Sequence, residues 1–254
     1  MEIPALHCVQ QQPSSIHHTR LLALHTFLMS SSPPHSSALA QKAEKFVDRL
    51  LFPYESHQRR HNCLFIHIPK TAGTSILSSL GKKRPSHRQH LPWYVYKAAN
   101  RTYFQKAFKF AFVRNPFDRL YSAFEYLKTN GGGSRDDHIL GERLRAYASF
   151  DDFICDGFHA GELRNHLLFI PQSQFILDAT GELVVNHLGR YESIDADFAE
   201  ISRTLGIAQQ MEKKNINKNR KHADYRAAYQ STRAIEIVQD VYAQDLHAFN
   251  YRFE

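Results

Sequence analysis

Apolar residues fall unevenly along this chain, and their spacing predicts its elements. Cys63-Leu-Phe-Ile-His-Ile68 is a short, nearly continuous apolar run, the pattern of a strand buried on both faces. Small and polar residues follow. A helical spacing then runs from Thr74 or Ser75 to Leu80, with Gly81 as its stop. Phe108-Lys-Phe-Ala-Phe-Val113 reads as a second strand, after which Asn115 offers an N-cap and Pro116 a first helical position. Leu120, Phe124 and Leu127 keep helical spacing up to Asn130-Gly-Gly-Gly133. The stretch from Gly131 to Gly141 reads as a loop, and Ser149 as the cap of a further helix beginning Phe-Asp-Asp-Phe-Ile. Gln174 to Tyr191 reads as two strands around an Asp178-Ala-Thr-Gly181 hairpin turn. Ile235, Val238, Tyr242, Leu246 and Phe249 form one apolar stripe between Thr232 and Phe249. Strands alternating with helices predict an α/β, P-loop-like, three-layer fold whose central, mainly parallel sheet is flanked by helices.

The first 55 residues differ from the rest. "QQQPSS", "SSSPPHSS" and two weak apolar segments predict an extension, partly disordered or loosely helical, over 1–55. Ala38 to Phe52 could form a helix with Phe46, Val47, Leu50 and Leu51 on one side. A globular domain is expected over 56–254. The net charge of +7 favours anionic ligands such as nucleotides, nucleic acid or acidic glycans without choosing among them. No helical segment concentrates Lys and Arg and no nucleic-acid motif appears, so a non-enzymatic nucleic-acid binder fits poorly. Cys8, Cys63 and Cys155 are odd in number and scattered, which argues against a disulfide framework or zinc site and fits a reducing compartment. No run reaches the roughly 20 apolar residues of a membrane span. Ala38-Leu39-Ala40 resembles a signal cleavage site but lies too far from the apolar segment at Leu21 to Met29.

Two strand-to-helix junctions carry the chemistry. Ligands in such sheets bind where strand carboxyl ends meet helix N-termini. The first junction is Pro69-Lys70-Thr71-Ala72-Gly73-Thr74-Ser75. Its small residues allow close approach of a phosphate, its helix-start amides can donate to phosphate oxygens, and Lys70 adds a cation. Thr71, Thr74 and Ser75 add hydroxyls. A capped helix beside an exposed lysine would read the same way. The order differs from a Walker A loop, in which Gly-Lys-Ser/Thr comes last. The second junction is Val113-Arg114-Asn115-Pro116, with Ser122 two turns into the helix. Arginine's planar guanidinium suits phosphate. Asp118 and Arg119 read as an ion pair at the helix start. Two such loops together imply a nucleotide phosphorylated at both ends.

"HIPKTAGTS" followed about forty residues later by "FVRNPFDRLYSAF" resembles the sulfotransferase family, closest to the branch of carbohydrate sulfotransferases and their bacterial relatives. The resemblance extends over Cys63 to Phe253 and includes Arg190-Tyr-Glu-Ser-Ile194 and the closing "VYAQDLHAFNYRF". It implies 3′-phosphoadenosine 5′-phosphosulfate (PAPS) as donor, adenosine 3′,5′-bisphosphate (PAP) as product, and no metal. Lys70, Thr71, Ala72, Gly73, Thr74 and Ser75 would hold the 5′-phosphosulfate, with Lys70 on the bridging oxygen as the sulfuryl group leaves. Arg114 and Ser122 would hold the 3′-phosphate. A basic loop often closes over the nucleotide in this family, and Arg220 and Lys221 occupy about the right place, where a solvated basic loop is equally consistent. Members of this branch in the Golgi carry an anchor, so its absence here points to a soluble cytoplasmic enzyme with no nucleic-acid partner and no membrane span.

An acceptor hydroxyl also needs a general base, and histidine serves near neutral pH. Related enzymes place it between the two junctions, which selects His90, with His87 in reserve. Trp93, Tyr94 and Tyr96 could stack on a sugar or simply pack. Lys82, Lys83, Arg84 and Arg88 could attract an anionic glycan or form a solvated surface. The rival reading is a Mg-dependent P-loop kinase or NTPase, for which Phe175-Ile-Leu-Asp178 offers an aspartate at the end of an apolar run.

Overall fold

The computed structural model describes residues 46–47, 50–82, 90–129, 134–161, 163–207, 211 and 221–254. The chain divides into two compact units, Met1–Phe46 and Val47–Glu254. The N-terminal extension lies almost wholly outside the described residues, as do His87, Arg220 and the basic residues Lys83, Arg84 and Arg88.

In the second unit, α1 (Ser56–Arg60) leads into β1 (Cys63–Ile66), and α2 (Gly73–Ser79) follows the first junction. Two short helices, α3 (Trp93–Ala99) and α4 (Arg101–Lys106), return the chain to β2 (Phe108–Val113). After the second junction come α5 (Pro116–Lys128), α6 (Arg135–Arg145), and α7 (Phe150–Asp152), which continues as a π-helix over Phe153–Phe158. Then follow α8 (Ser173–Ile176), β3 (His187–Arg190), α9 (Ile194–Leu205), α10 (Thr232–Val241) and α11 (Ala243–Ala248).

The three strands form one parallel sheet in the order β1-β2-β3. Side chains alternate across it, as the pleat requires. Cys63, Phe65, Phe110 and Phe112 pack on one face against Ile76, Leu77 and Leu80 of the α2 region and Phe198 and Ile201 of α9. Leu64, Ile66, Ala111 and Val113 pack on the other against Tyr96 and Phe104 of α3 and α4, Phe175 and Ile176 of α8, and Phe249. The sheet is therefore buried on both faces, which is why its strands are so uniformly apolar. A third cluster, built by α5, α6, α7 and α10, holds Leu120, Phe124, Leu144, Phe153 and Val238.

Three local readings change. The Gly131 to Gly141 stretch is not all loop: Ser134 accepts a hydrogen bond from the Asp137 amide at 3.0 Å and starts α6. Gly141 hides that helix from a propensity reading, yet a Cβ there would come within 2.5 Å of the Leu127 carbonyl oxygen, so glycine is what lets α6 lie against α5. The hairpin expected between Gln174 and Tyr191 is a short helix, α8, then a single antiparallel bridge, Leu177 to Leu183, around the Asp178 turn. The residues read as its second strand instead supply β3, which pairs with β2 in parallel. The C-terminal stripe holds, but its helix breaks at Tyr242 into α10 and α11.

Candidate active site

Both junctions lie at the carboxyl ends of neighbouring strands. Because β1 and β2 run parallel with Ile66 opposite Ala111, their exits are brought side by side. At the first, Lys70 and Ala72 both take left-handed backbone angles, with φ of 69° and 62°. Such residues cost roughly 1–3 kcal/mol and persist where the surroundings enforce them. Left-handed residues in a turn are the kind of backbone from which anion-binding nests are built. The Ser75 and Ile76 amides already donate to Ala72 O. Among the described residues, the Gly73 and Thr74 amides have no acceptor.

The hydroxyls at this junction are not equivalent. Thr71 is fully buried and donates to Ile68 O at 2.9 Å, so its side chain braces the loop from within. Ser75 is buried as well, and Thr74 keeps some exposure. Gly73 meets a separate demand. A Cβ there would sit 1.8 Å from His67 Nε2, so the imidazole occupies the space a side chain would need.

Lys70 retains some exposed surface although its ammonium sits deep among protein atoms, over the Tyr126 ring at 3.7 Å from the centroid. Burial, reinforced by Arg114 and opposed by Asp137, pushes its pKa down to about 7.

The second junction is held more tightly. Asn115 caps α5 by accepting from the Phe117 amide at 3.1 Å, with Pro116 in the first turn. Arg114 is almost fully buried. Its Nε donates to Asp118 Oδ2 at 2.7 Å, its Nη1 donates to Lys70 O at 3.2 Å, and its guanidinium lies 4.0 Å over the Tyr191 ring. The expected Asp118–Arg119 pair does not form. Asp118 faces back to Arg114, while Arg119 points the other way into the core and donates to Leu168 O and Ile170 O. The two residues are adjacent on a helix, so their side chains leave about 100° apart. Ser122, partly buried, lies one turn beyond Asp118. The Lys221 and His222 amides dock on α5 beside it, at Glu125 Oε2 and the Tyr121 hydroxyl.

His90 stands at the end of the stretch between the junctions. Its Nδ1 lies 3.0 Å from His67 O. A carbonyl oxygen only accepts, so Nδ1 carries the proton and Nε2 is left with the lone pair. Burial lowers the His90 pKa, the bond to His67 O works against that, and nearby Lys70 adds to it. The ring is neutral, with a basic nitrogen to offer. His67 is buried against it, ring centroids 4.2 Å apart, and burial holds His67 neutral too.

Of the other predicted residues, Trp93 donates from its indole to Leu177 O at 2.8 Å and Tyr96 is buried, so both serve the core, while Tyr94 is exposed. Lys82 pairs with Glu55. Asp178 Oδ1 accepts from the Thr180 and Glu182 amides and the Thr180 hydroxyl, which commits it to its own turn.

Several contributors were not predicted. Gln172 pairs its side-chain amide with both backbone groups of Arg114, at 3.0 and 2.8 Å. Glu192 accepts from the Asn115 amide at 2.7 Å and from the Tyr251 hydroxyl. Tyr191 and Glu192 belong to the "RYES" segment, which therefore clamps the second junction. Tyr126 and Asp137 sit beside Lys70 without any sequence motif to mark them.

A family model described as "Sulfotransferase family" matches residues 57–252. The chain belongs to the sulfotransferase family. Neither the curated proteins nor the solved structures gave a match. The matched span runs from β1 past α11 and includes both junctions, so membership places sulfuryl-transfer chemistry on this parallel α/β sheet. No helix among the described residues is long and apolar enough to cross a membrane.

Proposed function

We propose that this sulfotransferase takes its sulfuryl group from PAPS and delivers it to a hydroxyl of a carbohydrate acceptor. The hydrogen bond from Arg114 Nη1 to Lys70 O carries the reading. It ties the two junctions into one site with a cation at each, which suits a nucleotide phosphorylated at both its 3′ and 5′ positions. The Gly73 and Thr74 amides and the Lys70 ammonium serve the 5′-phosphosulfate, while Arg114 and Ser122 serve the 3′-phosphate. Lys221, docked on α5 one turn from Ser122, fits the closing loop.

The acceptor oxygen forms a new bond to sulfur as the bond from sulfur to the 5′-phosphate oxygen breaks. The electron pair of the broken bond stays on that phosphate, and Lys70 lies where its growing charge can be met. The hydroxyl proton passes to His90 Nε2, whose lone pair the His67 carbonyl keeps available. The carbohydrate acceptor follows from the branch that the two motifs resemble.

Thermal-shift titration tests the donor. PAP should stabilise the protein and ATP should not, and Arg114→Ala should abolish the effect. Stabilisation by ATP with Mg²⁺ but not by PAP would replace this reading with the kinase one. Transfer of labelled sulfate from PAPS to polysaccharides but not to simple alcohols supports the carbohydrate acceptor, and the reverse pattern rejects it.

A further inference from the structure

We propose that Tyr126 is the positioning residue of Lys70: its ring face seats the ammonium and keeps it charged and aimed at the leaving group. The leaving-group part rests on the sulfotransferase reading above; the seat itself does not.

Lys70 Nζ lies 3.7 Å from the Tyr126 ring centroid, well inside the range of about 6 Å in which a ring face attracts a cation. Asp118, Ser122 and Tyr126 are spaced by four along α5 and so share one face. At one end of that face Asp118 holds the Arg114 guanidinium at 2.7 Å. At the other the tyrosine ring holds the lysine. One helix thus partners both cations of the site, but with different chemistry.

The difference has a physical reason. A guanidinium remains charged whatever its partner, so a carboxylate can fix it permanently. A buried ammonium can lose its proton, and a carboxylate in contact with it would oppose the negative donor. A ring face stabilises the charged form through its quadrupole and adds no net charge. The charged and titratable groups around Lys70 support this division. Arg114, from the second junction, disfavours the ammonium, and Asp137 of α6 favours it. His90, held neutral by burial, neighbours it from the chain before α3. Tyr126 supplies the contact from α5. Its hydroxyl is held un-ionised by burial and by Asp137, so what it offers Lys70 is its ring.

Tyr126→Phe keeps the face and Tyr126→Leu keeps apolar bulk without it. Tyr126 is only partly buried, so both replacements are compatible with the fold. The first readout needs no nucleotide: acetylation of Lys70 by acetic anhydride, followed against pH by mass spectrometry. Wild type and Tyr126→Phe should share one midpoint, and Tyr126→Leu should move it about one pH unit toward acid. The second readout is PAPS turnover. Tyr126→Leu should lose about tenfold in kcat near pH 8 with little change in the donor KM, and Tyr126→Phe should match wild type. Equal midpoints and rates in the Phe and Leu variants overturn the proposal. So does an equal loss in both, which would make the hydroxyl, not the face, responsible. A protein that shows the labelling pattern yet does not bind PAP supports the seat and sinks the donor assignment, so the two failures are distinguishable.

Discussion

The two junctions leave adjacent parallel strands, yet they hold charge by opposite means. The first is made largely of backbone. Two left-handed residues, a glycine backed by an imidazole and an inward-turned threonine shape the turn, and its single lysine has a pKa lowered to about 7. The second is made of side chains. Arg114 is fixed by Asp118, Tyr191, the Lys70 carbonyl and, through its backbone, Gln172. The contrast suits the two tasks that the proposed donor sets. A phosphate that only needs gripping is best met by a permanent, immobile charge. A phosphate that gains charge during reaction is best met by preorganised dipoles and a cation able to respond.

Substituting the responsive cation should have the largest effect. Lys70→Met removes the only side-chain charge of the first junction and leaves its amides in place. Turnover should fall about 1,000-fold while PAP binding changes far less. A comparable loss in both, measured by steady-state rates and calorimetry, would mean that Lys70 grips the ground state as Arg114 does, and the contrast between the junctions would fail.

His90→Ala should come next, with turnover down at least about 100-fold and PAP binding nearly intact. Unchanged turnover would remove His90 from the chemistry. The wild-type pH profile carries the same information. Burial holds the folded-state pKa of His90 below the usual 6.5, so in the proposed mechanism the acid limb of the profile falls only as pH drops through that lowered value, while the alkaline limb falls as Lys70 loses its proton, at about pH 7. The stability effect has the same sign: a histidine kept neutral in the fold contributes fully above its unfolded pKa and loses that contribution as pH falls toward its folded one. An acid limb that rises above the ordinary histidine range would contradict the burial that sets it.

Much of this was legible because the physics is local. Strands buried on both faces announce themselves as apolar runs, and Asn115-Pro116 can start a helix in only one way. What the chain could not announce was direction. Nothing in the pattern says that Asp118 turns back to Arg114 and Arg119 turns inward, since neighbouring helix positions look equivalent until the core is in place. The β3 segment read as half of a hairpin because a turn sits before it, and only the sheet decides that it pairs with β2. Helix α6 was obscured by Gly141, whose value lies in contact with α5. Tyr126, Asp137 and Gln172 reach the site from elements up to 102 residues away from Lys70, and no local spacing encodes such a meeting.

Gln172 allows the smallest and most discriminating test of the contrast. It is fully buried, its own amide and that of Ser173 donate to Asp245 at 2.7 and 2.8 Å, and its side chain closes a two-bond ring on the Arg114 backbone. It acts as a piece of strand at the point where β2 ends. Gln172→Ala leaves a buried N–H and a buried C=O unpaired and opens a cavity, which should cost about 2–4 kcal/mol of stability. Affinity for PAP should fall only about tenfold or less, because the guanidinium keeps Asp118 and Tyr191. Gln172→Glu puts a buried carboxylate against the Arg114 carbonyl oxygen and should be less stable than the alanine variant in denaturant melts at about pH 8. If alanine at 172 instead weakened PAP as much as alanine at 114 does, the guanidinium would have no hold of its own. The second junction would then depend on backbone placement as the first does, and the division of labour between them would be lost.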